Sequence, residues 1–455
     1  MASGEFARNA TPAPADDLPH VVIAGAGFAG LACAKALGGR RARVTIVDRH
    51  NYHLFVPLLY QVATAALSPA EIAEPIRKIL RSHRNIYVVL GDVSGVDTSN
   101  KQVKLSDGKY VPYNYLVLAS GSSYNYFGHD DWEPLAPGLK TIADARAIRS
   151  SILLGFERAE AIDDAPQQRA LMTTVIVGGG PTGVEMAGAV AELARWSLRR
   201  DFRNIDSRQA RIVLVEAGPR ILSAFPEKLG CYAERKLKKL GVEVLTESTV
   251  ESVSATGVLI GGKMLHANTV VWGAGVKGSP AGEWVGVETD RLGRIPVSAD
   301  LSVTGLECIY AIGDTAAVLD ERGEPLPGLA QVAKQQGQHL GKALANLIEA
   351  ERPLPQFRFR NRGNTAIVGR SAAVFDFGRQ QLKGWIAWVL WGIIHVYLLV
   401  GFEKRLLVAI QWLWRWLTYQ SGARLIVEDS MRASNAEDAD ESLKLRTRKS
   451  STTRS

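Results

Sequence analysis

One grammar occurs twice in this chain. HVVIA at 20–24 runs into GAGFAG at 25–30, and TTVIV at 173–177 runs into GGGPTG at 178–183. Each glycine run opens a helical stretch (LACAKALGG; VEMAGAVAELARWSLRR). Each is answered by an apolar strand ending in an acid, ARVTIVD at 42–48 and ARIVLVE at 210–216. The unit reads as βαβ, and two copies this far apart are a duplication of domains rather than a short solenoid repeat.

A lone GxGxxG says little, but between a strand and a helix each position acquires a task. Gly25 and Gly178 permit the tight turn, Gly27 and Gly180 let the backbone approach a pyrophosphate, and Gly30 and Gly183 allow close helix–strand packing. The helix N-terminus offers free N–H groups to the phosphates. Asp48 and Glu216 stand where a carboxylate accepts from a ribose 2′-OH and repels a 2′-phosphate, which favours NADH over NADPH at the second site. Two further strands end in glycine turns, NYLVLASGS at 114–122 with Gly121 and HANTVVWGAG at 266–275 with Gly275. LECIYAIGD at 306–314 ends in Gly313 and Asp314, an acid placed to hold the ribityl or phosphate part of a flavin. Because that pair follows the second fingerprint, the first domain is split by an inserted second one.

The expected fold is therefore α/β, with two Rossmann-like dinucleotide-binding domains, the second inserted in the first, and a C-terminal amphipathic helical region. The boundaries expected are a flexible leader at 1–18, the first domain at 19–125 and 286–350, and the second at 126–285. An anchoring region follows at 351–426 and a disordered tail at 427–455. Hydrophobic residues at 46% and charged residues at 22% fit a globular chain with a large interior. The net charge of +8 does not choose among nucleic acid, anionic lipid and acidic ligands. The three cysteines, Cys33, Cys231 and Cys308, are too scattered for a disulfide framework or a zinc site. The first 20 residues contain no apolar core of a secretory signal.

These features resemble the two-domain flavoproteins of the pyridine nucleotide–disulfide reductase superfamily. The resemblance implies non-covalent FAD in the first fold and NADH, as substrate, in the second. Disulfide reductases carry a cysteine pair after the first acidic strand end, whereas this chain has NYHLFVPLLYQVAT there and no cysteine from 34 to 230. GAGFAG, the long run VTIVDRHNYHLFVPLLYQVATAALSPAEIAEPIRKILR, GGGPTGVE, YAIGD and AQVAKQQG are similar to the type II NADH:quinone oxidoreductases. That resemblance implies hydride transfer from NADH to flavin and two-electron reduction of a membrane quinone without proton pumping, and no metal. The family's quinone-site glutamine maps onto Gln331, and Glu185 maps near the nicotinamide–flavin contact. A helix N-terminal Gln satisfying its own backbone, and a carboxylate stabilising a first turn, are the plain structural readings of the same residues. The uncharged loop at 51–64 is expected to exclude water from the flavin and line a quinone passage. Lys334 receives no role.

Residues 384–402, GWIAWVLWGIIHVYLLVGF, carry no Asp, Glu, Lys or Arg. A transmembrane helix, a monotopic helix and a buried core helix all remain open, with the monotopic reading preferred. Trp385, Trp388, Trp391 and His395 would form an interfacial stripe, and Gln411 and Arg415 a polar face beside Trp412, Trp414 and Trp416. Lys383, Lys404, Arg405, Arg415 and Arg424 flank this part and suit an anionic lipid surface, at the cytoplasmic face of a bacterial inner membrane. No nucleic-acid partner is implied, and a homodimer is compatible with the sequence. Two other functions stay open: a soluble NADH-dependent flavin reductase, and a FAD- and NADH-holding redox sensor.

Overall fold

A computed structural model of the chain describes residues 18–399, 402–418 and 424–426. The expected tail at 427–455, and all of the leader but Leu18, lie outside the described residues. Among the described residues, 18–53, Pro75–Ser123 and Lys277–Arg360 make one compact unit, and Leu54–Glu74, Tyr124–Val276 and those from Asn361 onward make another. The helices that carry the functional groups are α1 (Phe28–Leu37), α2 (Leu59–Ala63), α3 (Pro181–Glu192), α4 (Ala330–Ala350), α5 (Trp385–Leu398) and α6 (Phe402–Thr418).

The first unit is built on a five-stranded sheet in the spatial order Ile309–Ala311, Tyr115–Leu118, His20–Ala24, Arg43–Asp48, Ile86–Leu90, and every pairing is parallel. Val21, Val22, Ile23 and Ala24 are wholly buried, as expected of a central parallel strand covered on both faces. The strand order reverses at His20–Ala24, so the crevice beyond its carboxyl end is the natural ligand position. Helices α1 and α4 pack closely here. A Cβ on Gly337 would lie 2.1 Å from the Ala29 carbonyl oxygen and one on Gly341 2.6 Å from that of Cys33, so only glycine lets the two backbones approach this far.

The second unit repeats the arrangement with four parallel strands in the order Val242–Leu245, Arg211–Val215, Thr173–Val177, Thr269–Trp272. Its reversal falls at Thr173–Val177, the strand that feeds GGGPTG. This unit also contains an antiparallel sheet, Asn364–Gly369, Ala372–Asp376 and Gln381–Gly384, which runs into α5.

Several boundaries differ from the sequence reading. Residues 54–74 and the chain from Asn361 belong to the second unit, and the return to the first comes at Lys277 rather than 286. The expected stripe on α5 is split: Trp385 is 66% exposed, but the later part of the stripe turns inward. Trp391 is 2% and His395 8% exposed, while Ile386, Val389, Ile393 and Tyr397 form the exposed face. The side chain of Gln411 also points inward, donating to Glu71 Oε1. The side chains of Arg415 and Trp416 lie outside the described residues. No helix among the described residues is long and apolar enough to cross a membrane.

Candidate functional site

The two fingerprints fold into nearly superimposable turns. Gly25 and Gly178 adopt φ of 106° and 105°, a conformation closed to ordinary side chains. Cβ atoms on Gly30 and Gly183 would each lie 1.9 Å from the carbonyl oxygen five residues earlier, so both third glycines are required by close approach. At Gly27 and Gly180 a Cβ would meet nothing within 4 Å, leaving open space in front of each helix N-terminus. That space is what a pyrophosphate needs.

The acidic strand ends are also built alike. Asp48 accepts the Ala26 N–H at 2.6 Å and the His50 N–H at 2.7 Å. Glu216 accepts the Gly179 N–H at 2.6 Å and the Gly218 N–H at 2.7 Å. Each carboxylate therefore ties its glycine turn to the neighbouring strand, and its remaining lone pairs stay able to accept from a ribose.

In the first unit, the Gly121 N–H donates to Thr315 Oγ1 at 2.8 Å, and Ser122 Oγ donates to Asp314 Oδ2 at 2.8 Å. Ser120 shares a 2.6 Å hydroxyl contact with Ser279. The Gly313 N–H donates to Gln336 Oε1 at 2.6 Å, and Gln336 is buried in α4. Gly121, Gly313, Asp314 and the first turn of α4, which contains the half-buried Gln331, thus belong to one unit with Asp48. Gln336 was not singled out from the sequence, since its role depends on where α4 docks. Cys308 precedes its strand in a left-handed turn and is only half-buried. Cys33 is buried, and burial pushes its thiol up to about 12, which leaves it inert.

In the second unit Gly275, at φ 75°, sits against the Phe127 ring, where a Cβ would come within 2.6 Å. The unit also holds a largely apolar cavity of about 830 Å³ between α2, α3, the Asn364–Gly369 strand, α5 and α6. Glu185 of α3 lines it and accepts the Ile367 N–H at 3.3 Å. Removal from bulk water pushes the Glu185 carboxyl up to about 8, against a smaller opposing pull from that N–H. It is a protonated acid at neutral pH. Tyr60, Gln61, Trp391 and Trp412 form part of the wall, with the indoles of Trp391 and Trp412 stacked at 5.2 Å. Three residues of the apolar loop that stood out in the sequence, Tyr60, Gln61 and Thr64, therefore line this cavity. Glu192, seven residues beyond Glu185, lines it too. That partner was legible in the helical spacing, whereas Gln61 and Trp412 lie too far apart in sequence to be paired from it.

Comparison with known proteins agrees with this construction. The family model described as pyridine nucleotide-disulphide oxidoreductase matches residues 19–337. The chain is similar to two proteins of Mycobacterium tuberculosis, type II NADH:quinone oxidoreductase Ndh and its counterpart NdhA. It is 38% identical to each, over 90% and 86% of both chains respectively. It is 28% identical to the internal alternative NAD(P)H-ubiquinone oxidoreductase A1 of Arabidopsis thaliana, over 88% of this chain and 85% of that one. The fold matches NDH2 of Plasmodium falciparum, solved in complex with NADH. The TM-score is 0.82 at 20% identity, covering 90% of this chain and 99% of that one. With duplicated dinucleotide turns and matching relatives along nearly its whole length, the chain belongs to the type II NADH:quinone oxidoreductases, within the pyridine nucleotide-disulphide oxidoreductase family.

Proposed function

We propose that the first unit holds FAD without a covalent link and that the second binds NADH as substrate. Gly27, the N-terminus of α1 and Asp48 would hold the adenosine and pyrophosphate of the flavin nucleotide. Gly121, Gly313 and Asp314 would hold its ribityl end, and Gly180 and Glu216 the NADH. The bound flavin supplies a two-electron carrier between hydride donor and quinone. Asp48 and Glu216 orient ribose hydroxyls, and the helix N-termini offset phosphate charge.

The observation that carries the acceptor side is a protonated carboxyl, Glu185, in the wall of an apolar cavity large enough for a quinone head and part of its tail. Converting NADH and quinone to NAD⁺ and quinol consumes one proton beyond the hydride. Glu185 holds a proton at neutral pH and can release it toward a quinone oxygen, to be reprotonated from solvent. Gln331, the residue matching the family's quinone-site glutamine, would donate to a quinone carbonyl.

The exposed apolar faces of α5 (Ile386, Val389, Ile393, Tyr397) and α6 (Leu406, Leu407, Ile410, Leu413, Trp414) support docking on a lipid surface, where a quinone is dissolved. On this reading the enzyme is monotopic, on the cytoplasmic face of a bacterial inner membrane. A single-turnover experiment tests the whole. The purified protein should be yellow, release FAD on acid treatment, bleach with NADH and recover its colour with quinone. Release of FMN, or no recovery with quinone, overturns the reading.

A further inference from the structure

Gln61 is a buried polar residue of the cavity wall, 6% exposed, and its amide is fixed in orientation. Trp412 Nε1 lies 2.9 Å from Gln61 Oε1. An indole N–H can only donate, so the amide atom facing it must be the oxygen, and the NH₂ is turned the other way. One of the two N–H groups then donates to Tyr60 Oη at 2.9 Å. Among the described residues the second meets no acceptor. Thr64, also in the wall, spends its hydroxyl on the Tyr60 carbonyl at 2.9 Å, so it does not compete for the same role.

We infer that the second amide N–H of Gln61 is a recognition donor for a carbonyl oxygen of the quinone head, held in register by Trp412 beside it in the cavity wall. The inference rests on reading the cavity as the quinone site. Three features of the wall support it. The surroundings are largely apolar, so a neutral donor there discriminates strongly for a ligand that brings an acceptor. The stacked indoles of Trp391 and Trp412 offer a flat surface beside the donor, suited to a planar ring. The lock also joins two elements of the wall, because Gln61 is on α2 and Trp412 on α6. A freely rotating amide would lose part of its binding contribution to ordering, and this one is ordered beforehand.

The test uses the flavin-loaded enzyme and a short-tailed benzoquinone. Gln61→Met keeps the volume and removes the amide, and should raise the quinone KM, and the Kd read by tryptophan quenching, about tenfold. Trp412→Phe keeps Gln61 but frees its amide, and should shift both constants in the same direction by a smaller factor. Bleaching of the flavin by NADH should stay at its normal rate in both. Ala189→Phe, which fills part of the cavity and leaves the Gln61 amide in the sequence, serves as reference. If it abolishes quinone reduction while Gln61→Met leaves KM and Kd unchanged, the cavity stands and the role of Gln61 is overturned. If Ala189→Phe leaves quinone reduction intact, the cavity is not the quinone site and the inference falls with it. Should Gln61→Met fail to retain flavin, Trp412→Phe decides, and unchanged constants there also overturn the assignment.

Discussion

Glu185 accepts the backbone N–H of Ile367, and seven residues along the same helix Glu192 accepts that of Arg370. The match is metric: seven helical residues rise about 10.5 Å and three extended residues about 10 Å, so one helix face can serve a donor in the strand and one in the turn just after it. Asn364–Gly369 is the edge of its sheet, and its outward N–H groups would otherwise be exposed or orphaned. Between the two acids a Cβ on Gly188 would lie 2.0 Å from the Val368 carbonyl oxygen, so the helix can lie flat only because that residue is glycine. The two carboxyl groups thus position the strand that walls the cavity, and Glu185 also presents acid to it.

Glu185 should make stability fall with rising pH. Its folded pKa stands at about 8, well above the ordinary glutamate range, because burial penalises the charged form. Between the two values the folded chain binds more protons than the unfolded chain, so each step up in pH costs stability, and the loss is complete above about 8. Glu185→Gln cannot ionise. The Tm of the variant relative to the parent should rise from pH 5 to 8 and then level off. In the parent, quinone reduction should also decline above pH 8, and in the variant it should be slower but flat there. Parallel Tm curves across this range would contradict a buried protonated acid.

Glu216 should set the nucleotide preference. A 2′-phosphate beside its carboxylate faces a like charge, so NADPH should be a poor substrate. Glu216→Gln keeps an acceptor for the turn but removes the charge, and should narrow the NADH preference by roughly one to two orders of magnitude. Glu216→Ala should weaken NADH as well, since both carboxylate oxygens hold backbone N–H groups of the turn. Competition of the two nucleotides in steady-state kinetics measures both effects.

Gln331→Ala should separate the two half-reactions. Flavin bleaching by NADH needs no quinone and should proceed at its normal rate in rapid mixing. Recovery of colour with quinone should slow by roughly tenfold, the loss of one good hydrogen bond. Equal slowing of both phases would assign Gln331 to the fold or the flavin instead.

What the sequence made legible was local. The duplicated turns, Asp48 and Glu216 rest on contacts whose residue types betray them, because few residues can occupy a φ near 105° or close a strand with an acid. The Gly337–Ala29 approach and the Gln336–Gly313 bond depend on how α4 docks, and no local pattern encodes that. The error on α5 has a different cause. That helix is apolar on nearly every side, so spacing shows that Trp391 and His395 share a face but not which face meets the protein. The decision is made by the partners: Trp391 stacks on His395 at 4.1 Å, and His395 meets Phe55 edge-on at 6.1 Å. Burial lowers the His395 pKa to about 4, so the ring in this contact is neutral.

Lipid attachment should be mainly apolar rather than electrostatic. The basic residues that the sequence directs at headgroups are largely engaged by the protein. Lys404 is 2.8 Å from Glu74 and donates to the carbonyl oxygens of Ala70 and Ala73, and Arg424 is paired with Asp201. Arg405 donates to the Leu399 carbonyl oxygen at 2.9 Å. A cut after residue 380 would be a poor test, because it removes the Gln381–Gly384 strand and the buried side chains of α5 along with the surface. Substituting Ile386, Leu407 and Ile410 with Asp changes only exposed side chains that do not line the cavity. Each removes about 2 kcal/mol of apolar burial in lipid, so together they should weaken vesicle binding by at least about a hundredfold. Flotation with vesicles of mixed anionic and zwitterionic lipid would read this. High salt, which screens charge within a few ångströms, should release only a minor fraction of the parent. The triple variant should still reduce a water-soluble quinone, since the cavity wall on Trp391 and Trp412 is untouched, while losing activity with a long-tailed quinone held in the bilayer. Release of the parent by salt alone would mean that the exposed faces of α5 and α6 are not what holds it there.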